Sequence, residues 1–182
     1  GSDVSWDDFD AKVKAALSTS NGEVVLVTPS LYSPSEISVI SKFAGKYNAK
    51  HVVYNATSTA SMAKANEITN GKFTESEYNF EKANIVVGFE ADFLGSLGNT
   101  VSNTKQFTKR RNAKHELGMN RHFQLEATMS MTGSNADYRF TRSIADQNDI
   151  LLGLLGALTN YDHTPSKANK ELVGQLAKEL KA

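Results

Sequence analysis

The chain contains no cysteine, which excludes disulfides, thiolate zinc sites and cysteine-ligated iron–sulfur clusters within these residues. It has no excess charge of either sign. Twenty basic residues balance twenty acidic ones, so no global field draws the chain to nucleic acid or to an anionic membrane surface, and any charged partner must be recognised locally. It also has no long hydrophobic run. The longest, Ile150 to Leu158, is about half of the roughly 20 residues a membrane span needs, and reads as a buried helix. No N-terminal targeting signal is visible, and Gly1-Ser2 reads as a cloning scar in front of a segment of a longer protein.

Several catalytic signatures are missing as well. There is no Gly-x-Ser-x-Gly elbow and no P-loop, and Gly95-x-x-Gly98 lacks the helix that a phosphate-cradling glycine turn must open. His51, His115, His122 and His163 show no metal-ligand spacing and no clustering with paired carboxylates, so they read as structural or surface residues. Asn55-Ala56-Thr57 fits a glycosylation sequon, a triplet that arises readily by chance.

What is present in 182 residues, 40% hydrophobic and 22% charged, suits one globular domain over residues 3–182. Ser5 precedes Asp8 as in a capping box, and Trp6, Phe9, Val13, Ala16 and Leu17 recur at helical spacing, predicting a helix over 6–19 that Asn21-Gly22 breaks. Val24 to Val27 is a short β-branched run of the kind found in buried parallel strands. Pro34 and Glu36 open a helix carrying Ile37, Ile40, Phe43, Ala44 and Tyr47. Residues 51–54 and 84–88 read as further strands, and Gly71 ends a short helix. Residues 97–112 carry a faint helical stripe. His122 to Ala127 alternates polar and apolar, as a half-covered strand does. Asp146 is read as the cap of a helix to Leu158, and Thr164-Pro165 as the opening of a last helix with Leu172, Val173, Leu176 and Leu180 on one face. Strands alternating with helices predict an α/β fold, a mainly parallel sheet flanked by helices, with any ligand crevice beyond the carboxyl ends of the strands.

Two groups of charged residues invite a functional reading. Lys109-Arg110-Arg111, with Lys105 and Lys114, could hold a phosphate or an acidic partner in a nucleotide- or anion-binding enzyme or sensor; the competing reading is a solvated helix end favoured by the helix dipole. Glu90 and Asp92 follow a strand and would stand at the crevice mouth, where a carboxylate pair could bind a cation or transfer protons. Two carboxylates are too few for calcium without loop carbonyls.

Residues 82–150 run strand, acidic turn, helix, strand, Thr132-Gly133-Ser134-Asn135-Ala136-Asp137, short extended piece, helix. That order resembles a Rossmann-like molybdopterin oxidoreductase domain, in which one strand ends in Gly-x-Asn-Pro and a later one in Asp-Pro-Arg-Arg-Thr-x-Thr with Ala-Asp a few residues on. Here the first motif reads Glu90-Ala91-Asp92-Phe93. The second reads Glu126-Ala127-Thr128-Met129-Ser130-Met131-Thr132, with Ala136-Asp137 at the matching distance. More narrowly, residues 84–95, 119–126 and 129–137 resemble the large iron–sulfur subunit of bacterial alternative complex III, which joins a cofactor-free molybdopterin-oxidoreductase-like region to a cluster-bearing region in a quinol-oxidising membrane complex.

The departures carry as much meaning as the matches. Glu90 stands where the family has glycine, Asp92 where it has asparagine, and Thr128-Met129 where it has two arginines. Two carboxylates facing a pyrophosphate repel it, so these four residues mark a vestigial pterin site, and the chain is expected to hold no cofactor. What the resemblance implies is a non-catalytic scaffold. It would lie on the periplasmic side of the bacterial inner membrane without inserting, and would dock cytochrome and iron–sulfur regions of its complex, with clusters confined to a cysteine-bearing region outside these residues. Arg121, His122, Asp137, Tyr138 and Arg139 are then expected to fix loops or interfaces, and no catalytic residue is expected.

Overall fold

The computed structural model of the chain describes residues 1–57 and 59–182. Where the sequence reads as one domain, the chain divides into two compact units, Gly1–Ser76 and Glu77–Ala182. Both are α/β, each built on a small parallel sheet with helices. No helix among the described residues is long and apolar enough to cross a membrane.

The first unit comprises α1 (Trp6–Thr19), β1 (Val25–Thr28), α2 (Pro34–Tyr47), β2 (Lys50–Val53) and α3 (Ala60–Asn70). Ser5 caps α1 as its sequence predicts, its hydroxyl accepting the Asp8 amide. Asn48 ends α2 and Gly71 ends α3, both in the left-handed conformation that releases a helix. β1 and β2 pair in parallel from Val25↔Lys50 to Thr28↔Val53. The expectation of a buried strand here is corrected: Val25 and Val27 are 47% and 59% exposed. A run of apolar residues identifies a strand, but burial needs covering elements on both faces.

The second unit contains β3 (Ile85–Phe89), α4 (Thr100–Lys109), β4 (Arg121–Glu126), the single turn α5 (Met131–Ser134), β5 (Tyr138–Thr141), α6 (Ile144–Leu158) and α7 (Lys170–Lys181). Its strands lie in the order β3-β4-β5, all parallel, in register from Ile85↔Arg121 and from Phe123↔Tyr138. One face carries the apolar core. Phe123 and Leu125 of β4 pack with Ile150 and Leu154 of α6 and with Leu172, Val173 and Leu176 of α7, and Ile85, Val87, Phe89 and Phe140 lie against them. Each fully buried side chain of this size contributes about 1.5–3 kcal/mol.

The opposite face corrects the reading of β4 as half covered. His122, Gln124 and Glu126, the polar half of the alternation, are as buried as the apolar half. Phe80, Phe93 and Phe107 form a second cluster on that side, and the His122 ring lies 5.3 Å from that of Phe93 and 5.5 Å from that of Phe107. A period-two pattern places side chains on alternate faces but does not say whether the polar face meets water or protein.

Two helix starts also differ from expectation. Ser143, not Asp146, caps α6: its hydroxyl accepts the Asp146 amide and donates to the Asp146 carboxylate, a capping box. Thr164-Pro165 does not open a helix. The segment is held instead by Asp149, whose carboxylate accepts the Ser166 amide and the Asn169 side chain, both at 2.9 Å, so α7 begins only at Lys170. The apolar run of α6 buries Ile150 and Leu154, while Leu151, Leu155 and Leu158 remain exposed.

Candidate functional site: the carboxyl ends of the second sheet

The residues singled out at the strand ends converge. Glu90 follows β3 directly and has φ 49°. A side chain in this left-handed region is disfavoured by about 1 kcal/mol relative to glycine. Its carboxylate accepts the Ala127 amide and the Gln147 side-chain amide, each at 2.6 Å, which joins the end of β3 to the ends of β4 and α6. Asp92 Oδ1 accepts the Thr132 amide at 3.0 Å and the Thr132 hydroxyl at 2.8 Å, and the same hydroxyl oxygen accepts the Leu94 amide. Asp92 also closes its own turn: a Cβ on Gly95 would lie 2.2 Å from its Oδ2.

A third carboxylate, beyond the two predicted from the sequence, anchors the site. Glu126 ends β4 with its side chain buried. Its Oε2 accepts the Ser130 hydroxyl at 2.6 Å, and its Oε1 accepts the Ser130 amide at 3.2 Å and the Arg139 guanidinium. Burial opposes its ionisation, but the Ser130 and Arg139 bonds prevail and hold the carboxyl below its ordinary value. Thr128 and Met129 are exposed in the turn between Glu126 and Ser130. The backbone N–H groups of Ala127, Ser130 and Thr132 are therefore each taken by a carboxylate of the chain itself. Those three donors are not free for a bound anion such as the phosphates of a pterin dinucleotide. Without a metal between them, the three carboxylates would also repel it.

The predicted basic cluster lies at the other edge of the sheet. Arg110 is fully buried, against the reading of a solvated helix end. Its guanidinium donates to Glu81 O, to Asn84 Oδ1 at the entrance to β3 and to Leu117 O. Arg111 forms a two-pronged pair with Asp137 at 2.8 and 2.9 Å, donates to Asn120 O and lies over the Phe107 ring. Lys109 pairs with Glu81. These side chains tie the end of α4 to the starting ends of β3, β4 and β5, away from the carboxyl ends of the strands.

The five residues expected to fix loops or interfaces divide along the same line. Asp137 accepts the His122 amide at 2.8 Å as well as Arg111. Burial opposes its charge, yet Arg111 and that amide hold its carboxyl below the ordinary range. Arg121 pairs with Glu179 of α7, and Tyr138 stacks on Phe123 at 4.8 Å. Arg139 belongs to the Glu126 site. His122 Nε2 meets Gln124 Oε1 at 3.1 Å, and Gln124 reaches Glu126 and Ala91 O over Gly88, where a Cβ would stand 2.1 Å from Gln124 Oε1. A continuous polar row thus runs inside the sheet from His122 to Arg139. Burial holds the His122 imidazole below its ordinary pKa, so it is neutral near pH 7.

The remaining histidines have local partners: His51 with Thr28, His115 with the Leu117 amide, His163 with Asp149. Asn55 of the sequon is tied to Ser30 through both ends of its amide. No group of three or more potential metal-binding side chains occurs among the described residues. Compared with known proteins, the chain matches no family model and no curated sequence.

Proposed function

We propose that this chain is a non-catalytic scaffold: a molybdopterin-oxidoreductase-like α/β region that has lost its cofactor and serves an iron–sulfur electron-transfer subunit of a quinol-oxidising membrane complex. The observation that carries the reading is Glu90. It occupies a left-handed backbone position that favours glycine, at the point where the resembled family has glycine, and its carboxylate fills the Ala127 amide. Asp92 does the same to Thr132 at the asparagine position. Two substitutions at matching motif positions turn the anion-binding end of a parallel sheet into one closed by its own acids.

On this reading the chain's contribution is rigidity and surface. Glu90, Asp92 and Glu126 lock the strand-end loops, Arg111, Asp137 and Arg121 lock the opposite edge, and the faces left over are available for neighbouring subunits on the periplasmic side of the membrane. Thermal unfolding in the presence of pyrophosphate and guanine nucleotides tests the proposal. A ligand at a hundred times its dissociation constant would add about 2.7 kcal/mol. The scaffold reading predicts no shift, whereas a saturable rise that is lost in Arg111→Ala would replace it with an anion-binding function at the basic cluster.

A further inference from the structure

The chain contains two Asn-Gly pairs, Asn21-Gly22 and Asn70-Gly71, preceded by the similar residues Ser20 and Thr69. The fold treats them differently. Asn21 and Gly22 are exposed in the connection between the end of α1 at Thr19 and the start of β1 at Val25, outside any helix or strand. Among the described residues, the one hydrogen bond that touches the pair is a weak contact from the Ser20 hydroxyl to Gly22 O at 3.5 Å. Neither the Asn21 carboxamide nor the Gly22 N–H has a partner among the described residues. A Cβ on Gly22 would meet nothing within 4 Å, so there is open space around the backbone that the carboxamide must approach. Asn70, by contrast, is the last residue of α3, and the Gly71 nitrogen donates to Glu67 O at 2.9 Å with Gly71 fixed at φ 73°.

We propose that Asn21 is a site of spontaneous covalent modification, a deamidation and isomerisation site, and that Asn70 is protected by its helix cap. The reaction needs only water. Gly22 N loses its proton to solvent and attacks Asn21 Cγ; the new C–N bond forms as Cγ–Nδ2 breaks, and ammonia leaves with the proton. Water then opens the succinimide at either carbonyl, giving aspartate or isoaspartate with no change of oxidation state. Glycine matters because it lacks the Cβ that hinders this approach and has the widest backbone freedom. The product adds a negative charge to a chain of formal net charge +0. Its iso form inserts a methylene into the main chain ahead of β1.

The test is peptide mass mapping of the 182-residue chain during incubation in mildly alkaline buffer, native and in denaturant, with an isoaspartyl methyltransferase assay alongside. The Asn21 peptide is expected to show the amide-to-acid mass gain in two isomeric forms, about tenfold or more faster than the Asn70 peptide, a barrier difference of roughly 1.4 kcal/mol. In denaturant the two rates should converge, and Gly22→Ala should slow the native reaction at Asn21. An unchanged Asn21, equal native rates, or a rate ratio that persists in denaturant would each overturn the proposal.

Discussion

A Cβ built on Gly133 would lie 1.9 Å from Glu126 Oε1, and that carboxylate is pinned by Ser130 and Arg139. Gly133→Ala must therefore displace a buried, hydrogen-bonded charge. It should destabilise the chain by about 1–3 kcal/mol in urea unfolding. Gly174 in the middle of α7 has open space around it, and Gly174→Ala should stabilise by about 0.5–1 kcal/mol through helix propensity alone. A pair of changes at Glu90 isolates the backbone term. Glu90→Ala and Glu90→Gly both remove the contacts to Ala127 and Gln147, but only glycine relieves the left-handed conformation. The glycine variant should be the more stable by about 1 kcal/mol, and equal stabilities would mean that the position does not favour glycine.

At the scale of elements, the α6–α7 connection depends on ionised acids. The Asn169 side chain, the Ser166 amide and His163 together hold the Asp149 carboxyl well below the ordinary carboxylate range, and Ser143 and Asn169 lower Asp146. A carboxyl whose folded-state pKa lies below its unfolded value contributes stability above the unfolded value and loses it as pH falls. Stability should therefore decline below about pH 4, with Asp149→Asn flattening that slope. His122 acts in a different window. Its imidazole is held neutral by burial, so the unfolded chain takes up the proton first, and stability should begin to fall below about pH 6.5. His122→Gln keeps a donor for Gln124 and should remove that component.

The same elements show what the sequence reveals and what it hides. Helices 6–19 and 34–47 are legible because start signals and 3.6-residue spacing are local, whereas α4 is legible only in outline, since of its faint stripe Phe107 is buried but Val101 and Thr104 are exposed. The start of α7 is not legible at Pro165, because Asp149, sixteen residues away in sequence, decides it. Glu90 and Asp92 stand out as acids after a strand. Glu126 does not, because Arg139, which pairs with its charge, reaches it only once β4 and β5 pair, although Ser130 is close by in the following turn.

At the scale of the whole molecule, stability is unevenly distributed. Both buried apolar clusters belong to residues 77–182, whereas Ala63 is the one buried hydrophobic residue described in 1–76. Hydrogen exchange should follow that division, with the slowest amides in β4, α6 and α7 and faster exchange through β1 and β2. Comparable protection in both units would mean that the first unit is covered in solution.

If Glu90, Asp92 and Glu126 close the carboxyl end of the second sheet against a pterin, the composition of the isolated chain will show it. The chain should be isolated from a host that makes the guanylated molybdenum cofactor, and assayed for molybdenum and for the fluorescence of oxidised pterin. Neither should rise above background. Near-stoichiometric pterin would mean that these acids do not close the strand ends and would make them a cofactor site.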